Sequence, residues 1–152
     1  MSPAIPVDND AKEFTRALQR DVLARTLWGE ARGEGSAGMA AVACVILNRV
    51  KTATAKGGYW WGDDVIAVCQ KPFQFSCWNK DDPNFRKLLA VHDGNQRFKQ
   101  ALAIADKALD GKLKDQTGGA DHYHAAAIIP YWAKDMDASA HIGRHVFYRL
   151  VT

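Results

Sequence analysis

Residues 23–50 read LARTLWGEARGEGSAGMAAVACVILNRV, and how this stretch folds decides the rest of the chain. Leu23 and Leu27 sit beside a recurrence of Phe14, Leu18 and Val22 at every fourth position, the spacing of one helix face. A helix is therefore expected from Ala11 to about Arg32, stopping at Gly33, since glycine suits the left-handed C-terminal position. Ser36 is a plausible N-cap for a second helix, Ala37 to about Lys51. Its run from Met39 to Leu47 is apolar all round, the mark of a helix buried on every side, and its alanines let neighbours approach closely. Asn48 and Arg49 are expected to return the chain towards solvent.

Working outward, residues 1–10 carry Pro3 and Pro6 and little to bury, and read as a loose tail ahead of one domain over 11–152. Lys56-Gly57-Gly58 breaks the helical pattern. Residues 59–82 read as a loop-rich region with a short helix, Asp64–Cys69, capped by Asp63 or Asp64. Tyr59, Trp60, Trp61, Phe73, Phe75 and Trp78 crowd into it. Asp82-Pro83 opens another helix as N-cap and first residue, carrying Phe85, Leu88 and Leu89. A further helix spans about Asn95 to Leu109 and ends at Gly111. Beyond it, 117–124 and 142–149 look strand-like from their glycines, aromatics and β-branched residues. The expected fold class is α+β, mainly helical, with a small β element.

At 152 residues, 47% hydrophobic and 24% charged, the chain has the balance of one ordinary globular domain. The net charge of +3 is mild and no Lys/Arg block concentrates it, so nucleic acid is not an expected partner. The N-terminal residues have neither the basic start nor the apolar run of a secretory signal, which points to synthesis in a cytoplasm. The stretch from Ala37 to Leu47 is too short to span a bilayer, so stable membrane insertion is not expected. Cys44, Cys69 and Cys77 make an odd count, against a disulfide framework. Cys69 and Cys77 would pair only in an oxidising compartment.

The glutamates are Glu13, Glu30 and Glu34. Glu30 continues the face of Leu23 and Leu27 one turn before the helix breaks, which places its carboxyl at the edge of the core, facing a cleft. Partial burial there disfavours the ionised form, and a carboxylic acid that keeps its proton can protonate the leaving oxygen of a glycosidic bond. The plainer reading is an ion pair with Arg25 or Arg32 that merely finishes the helix. A rival chemistry comes from histidine. His122 and His124 alternate on one strand-like segment and His141 and His145 lie four apart on another, which would suit zinc in a metal-dependent amidase. No His-Glu-x-x-His helix accompanies them, and no metal or other cofactor is expected.

The block from Leu23 to Gly35, the run from Gly38 to Val50, then Pro72-Phe-Gln-Phe-Ser-Cys-Trp78, Gly118-Gly-Ala-Asp-His-Tyr-His124 and Ile142-Gly-Arg-His-Val-Phe-Tyr148 together resemble, in order, the SleB/CwlJ-type cell-wall hydrolases. The resemblance implies a lysozyme-like fold and peptidoglycan glycan strands as substrate. It also implies that the first glutamate of Gly-Glu-Ala-Arg-Gly-Glu, here Glu30, is the essential acid. None of Glu34, Asp63, Asp64 and Asp121 stands out as a second carboxyl, and a missing second carboxylate suits lytic transglycosylation of the bond between N-acetylmuramic acid and N-acetylglucosamine. Hydrolysis of the same bond by water is the alternative, and a catalytically inactive wall-binding module is the non-enzyme one. Gln74, Ser76, Tyr123, Glu34 and Trp78 are candidate substrate-binding residues, and Trp60 and Trp61 are further candidates to line a glycan groove. The family includes phage and prophage proteins, so the expected role is a monomeric endolysin released with the help of a holin to act at the cell wall.

Overall fold

The structure is a computed structural model and describes residues 7–151. Five helices come first: α1 (Val7–Ala31), α2 (Gly35–Lys56), α3 (Val65–Gln70), α4 (Pro83–Ala90) and α5 (Gln96–Leu109). A sheet of three short strands follows: β1 (His122–Ala125), β2 (Ala140–Ile142) and β3 (His145–Tyr148), antiparallel, with β3 in the middle. This is the mainly helical α+β arrangement that the sequence implies.

Helix α1 begins at Val7, so residues 7–10 are helix rather than loose tail; residues 1–6 lie outside the described residues. Its first half does not bury the expected face, for Phe14 and Leu18 are exposed. That half is held instead by charge. Arg16 reaches Asp106 at 3.3 Å and Asp110 at 2.9 Å, and Arg20 reaches Asp106 at 2.8 Å, all on α5 or its C-cap. The second half is core: Leu23, Ala24 and Leu27 are fully buried, each leucine contributing about 1.5–3 kcal/mol through burial.

The corner after α1 differs from expectation. Residues Arg32–Glu34 form one 3₁₀ turn and α2 starts at once at Gly35, which takes φ +74°. Gly33 therefore lies within the turn, and Ser36 lies inside α2 rather than capping it. Arg32 satisfies the carbonyl of Trp28 at 3.1 Å and grips Asn84 at 2.7 Å, so a side chain does what a left-handed glycine was expected to do. Helix α2 continues to Lys56, longer than expected, and stops at Gly57 in the left-handed conformation.

Its all-round apolarity has a specific cause. One side, with Met39, Val42 and Ile46, packs into the helical core; another, with Ala41 and Val45, packs on Ala120 and Phe147 of the sheet side. Caps act as read at two later points, where Asp64 accepts from Ala67 N–H and Asp82 from Asn84 N–H, and Asn95, expected as the first helical residue, instead caps α5 by accepting from Phe98 N–H. Asn95 also accepts from the Trp28 indole at 3.2 Å, tying α5 to α1.

Strand register sorts the sheet's side chains. Tyr123 lies opposite Phe147, and Ala125 opposite His145, on the face towards α2. His122, His124 and His141 alternate with them and therefore project from the other face, where Trp132, Val146 and Tyr148 pack.

Candidate active site

Glu30 occupies the last turn of α1, half-buried, and both its carboxyl oxygens are held. The Tyr123 hydroxyl donates to Oε1 at 2.8 Å, and the Cys77 backbone N–H donates to Oε2 at 3.2 Å. A carboxylate accepts about four hydrogen bonds, so each oxygen keeps capacity for a proton or a substrate group. Neither suspected arginine touches it. Arg25 is bound to Asp21 and to the carbonyls of Leu88 and Val91, and Arg32 to Trp28 and Asn84.

Burial, and then the adjacent Glu30 charge, push the Tyr123 phenol well above its ordinary value. Tyr123 thus keeps its proton and stays a hydrogen-bond donor at neutral pH. Burial first and Glu30 second also push the Cys77 thiol up, so it is a neutral packing group. Cys69 and Cys77 are both buried free thiols.

Two depressions meet at Glu30. One, of about 420 Å³, is aromatic: Trp60, Phe73, Phe75 and Trp132 line it with Arg49, Gln74, His122 and Tyr123. The other, of about 550 Å³, is lined by Ala31, Gly33, Glu34, Ala125–Ala127, Arg144 and His145. A third hollow of about 450 Å³, along Asn48, Lys51 and Lys56 of α2, holds no carboxyl or aromatic side chain and offers no comparable chemistry.

Of the candidate residues, Tyr123, Gln74 and Glu34 stand beside Glu30 in these depressions. Gln74 accepts from Arg49 at 3.1 Å, leaving its amide N–H₂ to donate. Glu34 is paired with Arg144 at 3.0 Å. Ser76 is exposed at the start of the 3₁₀ turn Ser76–Trp78 and lines neither depression. Trp78 is a correction. Its indole donates to Thr26 at 2.9 Å behind the site, and its ring packs on the helical core. Trp61 is also core, fully buried with its indole on the Arg49 carbonyl, so of the two neighbours only Trp60 reaches the groove.

Arg49 overturns the expectation that the chain turns to solvent there. It is buried, donating to the Asp121 carbonyl at 2.8 Å and lying 4.8 Å from the Trp61 ring centre. Burial lowers its pKa to about 10, which still leaves it charged at neutral pH. The signal was present in the sequence: Met39, Val42, Ile46, Arg49 and Ala53 recur at helical spacing, putting Arg49 on the core stripe. Trp132 carried no such signal, because it sits in an isolated 3₁₀ turn, Tyr131–Ala133, too short to show a period.

The histidines do not converge. His122 bonds Asp121, His124 bonds the Tyr148 hydroxyl, His141 is exposed, and His145 faces Tyr123 on the opposite side of the sheet. Among the described residues no three His, Cys, Asp or Glu side chains are grouped to hold a metal. Of the other candidate carboxyls, Asp64 caps α3, buried Asp121 accepts from His122 and from the N–H groups of Leu150 and Val151, and Asp63 is exposed and lines neither depression.

A family model described as Cell Wall Hydrolase matches residues 33–148, beginning just beyond Glu30. A spore cortex-lytic enzyme of Halalkalibacterium halodurans is 31% identical over 129 residues, 83% of this chain and 33% of that protein. The chain thus spans about a third of that relative's length. Among solved structures, the catalytic domain of the germination-specific lytic transglycosylase SleB from Bacillus anthracis superposes with a TM-score of 0.66 at 26% identity, over 86% of this chain and 93% of that one. The catalytic domain of the Bacillus cereus SleB protein does so with the same score and identity, covering 86% and 89%. The lysozyme-like fold is therefore the one found. No helix among the described residues is long and apolar enough to cross a membrane.

Proposed function

The chain belongs to the cell wall hydrolase family, and from that premise we propose that it cuts peptidoglycan glycan strands between N-acetylmuramic acid and N-acetylglucosamine, with Glu30 as acid and then base. The observation that carries this reading is Glu30 itself. It is a half-buried carboxyl with both oxygens steadied by Tyr123 and Cys77, no arginine partner, and two depressions opening from it along which a glycan strand can lie.

In the first step protonated Glu30 gives its proton to the glycosidic oxygen as the bond to the anomeric carbon breaks, freeing the N-acetylglucosamine hydroxyl. In the second, the muramyl 6-hydroxyl attacks that carbon and yields its proton to the Glu30 carboxylate, closing a 1,6-anhydro ring. The cycle consumes no water and returns Glu30 protonated, so one carboxyl suffices. The engagement of Asp64 and Asp121 elsewhere supports a single-acid route.

Glu34 favours the hydrolytic alternative to the extent that it lines the same depression as Glu30. Its ion pair with Arg144 weighs against a role in activating water. Mass spectrometry of digested sacculi tests the choice. Anhydromuramyl ends are expected, and reducing muramic ends would make the enzyme a hydrolase.

The same proposal takes the biological role as that of an endolysin reaching the wall through a holin, on the family resemblance alone. Co-expression with a holin should lyse cells that survive either protein singly.

A further inference from the structure

Lys71 to Gln74 make a tight turn closed by a hydrogen bond from Gln74 N–H to the Lys71 carbonyl at 3.1 Å. Proline at its second position and a φ of +66° at its third, Phe73, give the type II pattern. That third position ordinarily holds glycine or asparagine, because a side chain in the left-handed region is strained. Phe73 recovers nothing by packing, for it is 86% exposed. A large apolar ring thus stands in water, on strained backbone, at the lip of the aromatic depression that ends at Glu30. Trp60, 50% exposed, lines the same depression.

An outlier that neither the turn nor the core requires points to a use outside the protein. Sugar rings offer flat faces of C–H groups, and aromatic rings offer flat apolar faces to meet them. We propose that Phe73, together with Trp60, is a binding platform for a sugar ring of the glycan strand, outside the pair of sugars whose bond is cut. The proposal rests on the glycan-cleaving reading above and extends it. Binding at the platform is made equally in the ground state and the transition state, so it tightens capture of long strands and leaves the chemical step alone.

Three variants test it, assayed on solubilised glycan strands of graded length. Phe73→Gly should melt at or above the wild-type temperature, because glycine relieves the turn. On long strands its KM should rise roughly tenfold while kcat stays within about twofold, and on the shortest cleavable strands it should match wild type. Phe73→Trp should restore the long-strand KM, and Trp60→Ala should raise it. An unchanged long-strand KM in Phe73→Gly overturns the proposal, as it would if this lip met a protein or lipid surface instead. A melting temperature well below wild type also overturns it, by making Phe73 a packing residue. Wild-type protein that releases no glycan fragments at all would sink the underlying reading, a result separate from either of these.

Discussion

The Tyr123 hydroxyl lies 2.8 Å from Oε1 of Glu30, joining residues 93 positions apart. It links the last turn of α1 to the first strand of the sheet, so the candidate acid is oriented by a part of the chain remote from its own helix in sequence. Tyr123 in turn is stacked on Phe147, with ring centres 5.7 Å apart, and Phe147 is fully buried against α2. Tyr123→Phe keeps that packing and removes only the donor. Its kcat should fall about tenfold, the scale of one hydrogen bond to a charged group, with sacculus binding retained. Equal kcat in the variant would show that the hydroxyl plays no part in positioning Glu30.

Glu30→Gln keeps the shape, with its one oxygen free to accept from the Cys77 N–H and its N–H₂ to donate to the Tyr123 hydroxyl, but it cannot transfer a proton. Clearing of purified sacculi should drop by at least about a hundredfold, with the melting temperature little changed. Full activity in this variant removes Glu30 from the mechanism.

Gly29 sits directly beneath the loop that carries Cys77. A Cβ there would come within 2.8 Å of Cys77 Cβ and 3.0 Å of its sulfur. Gly29→Ala should therefore displace the Cys77 N–H from Glu30 and strain the core, costing about 1–3 kcal/mol of stability and most of the activity. Differential scanning calorimetry beside a turbidity assay checks both parts.

Asp121 sets an acid limit on stability. Burial acts to raise its pKa, but the hydrogen bonds from His122, Leu150 N–H and Val151 N–H outweigh it and hold the carboxyl below its ordinary value. A depressed folded-state pKa contributes stability that is present above the unfolded value of about 3.9 and is lost as pH falls through the folded one. Wild type should therefore lose stability below about pH 4, while Asp121→Asn should be less stable at neutral pH and show a flatter acid limb. Denaturant melts at pH 7 and pH 3 give the comparison.

Trp78 belongs to the scaffold rather than the groove. Trp78→Phe keeps most of the ring packing and loses the hydrogen bond to Thr26, so stability should fall by about 1 kcal/mol with KM for glycan unchanged. A raised KM with unchanged stability would return Trp78 to the substrate.

The place of Glu30 near the end of the first helix, the apolar helix after it, the capped starts of α3 and α4, and the α+β class were all legible from local signals: helical period, cap residues and turn glycines. The corner at Arg32–Glu34 was misplaced because a side chain, Arg32, replaces the backbone device that glycine usually provides. Arg49 was misread because its position on the core stripe was outweighed by its charge. Burial of that charge is tolerable only with the Asp121 carbonyl, Gln74 and the Trp61 ring around it, none of them close in sequence.

Helix periodicity and capping act within a turn or two of chain, so the existence of the five helices, though not all of their ends, and the placing of a glutamate in the last turn of the first could be read locally. The partners of that glutamate, the division of Trp60 from Trp61 and Trp78, and the separation of His145 from His122, His124 and His141 follow from contacts between elements far apart in the chain. Each depends on which surface a neighbouring element covers, and strand register, fixed by pairing residues 20 to 26 positions apart in β1 and β3, has no local signature that reading residue by residue can supply.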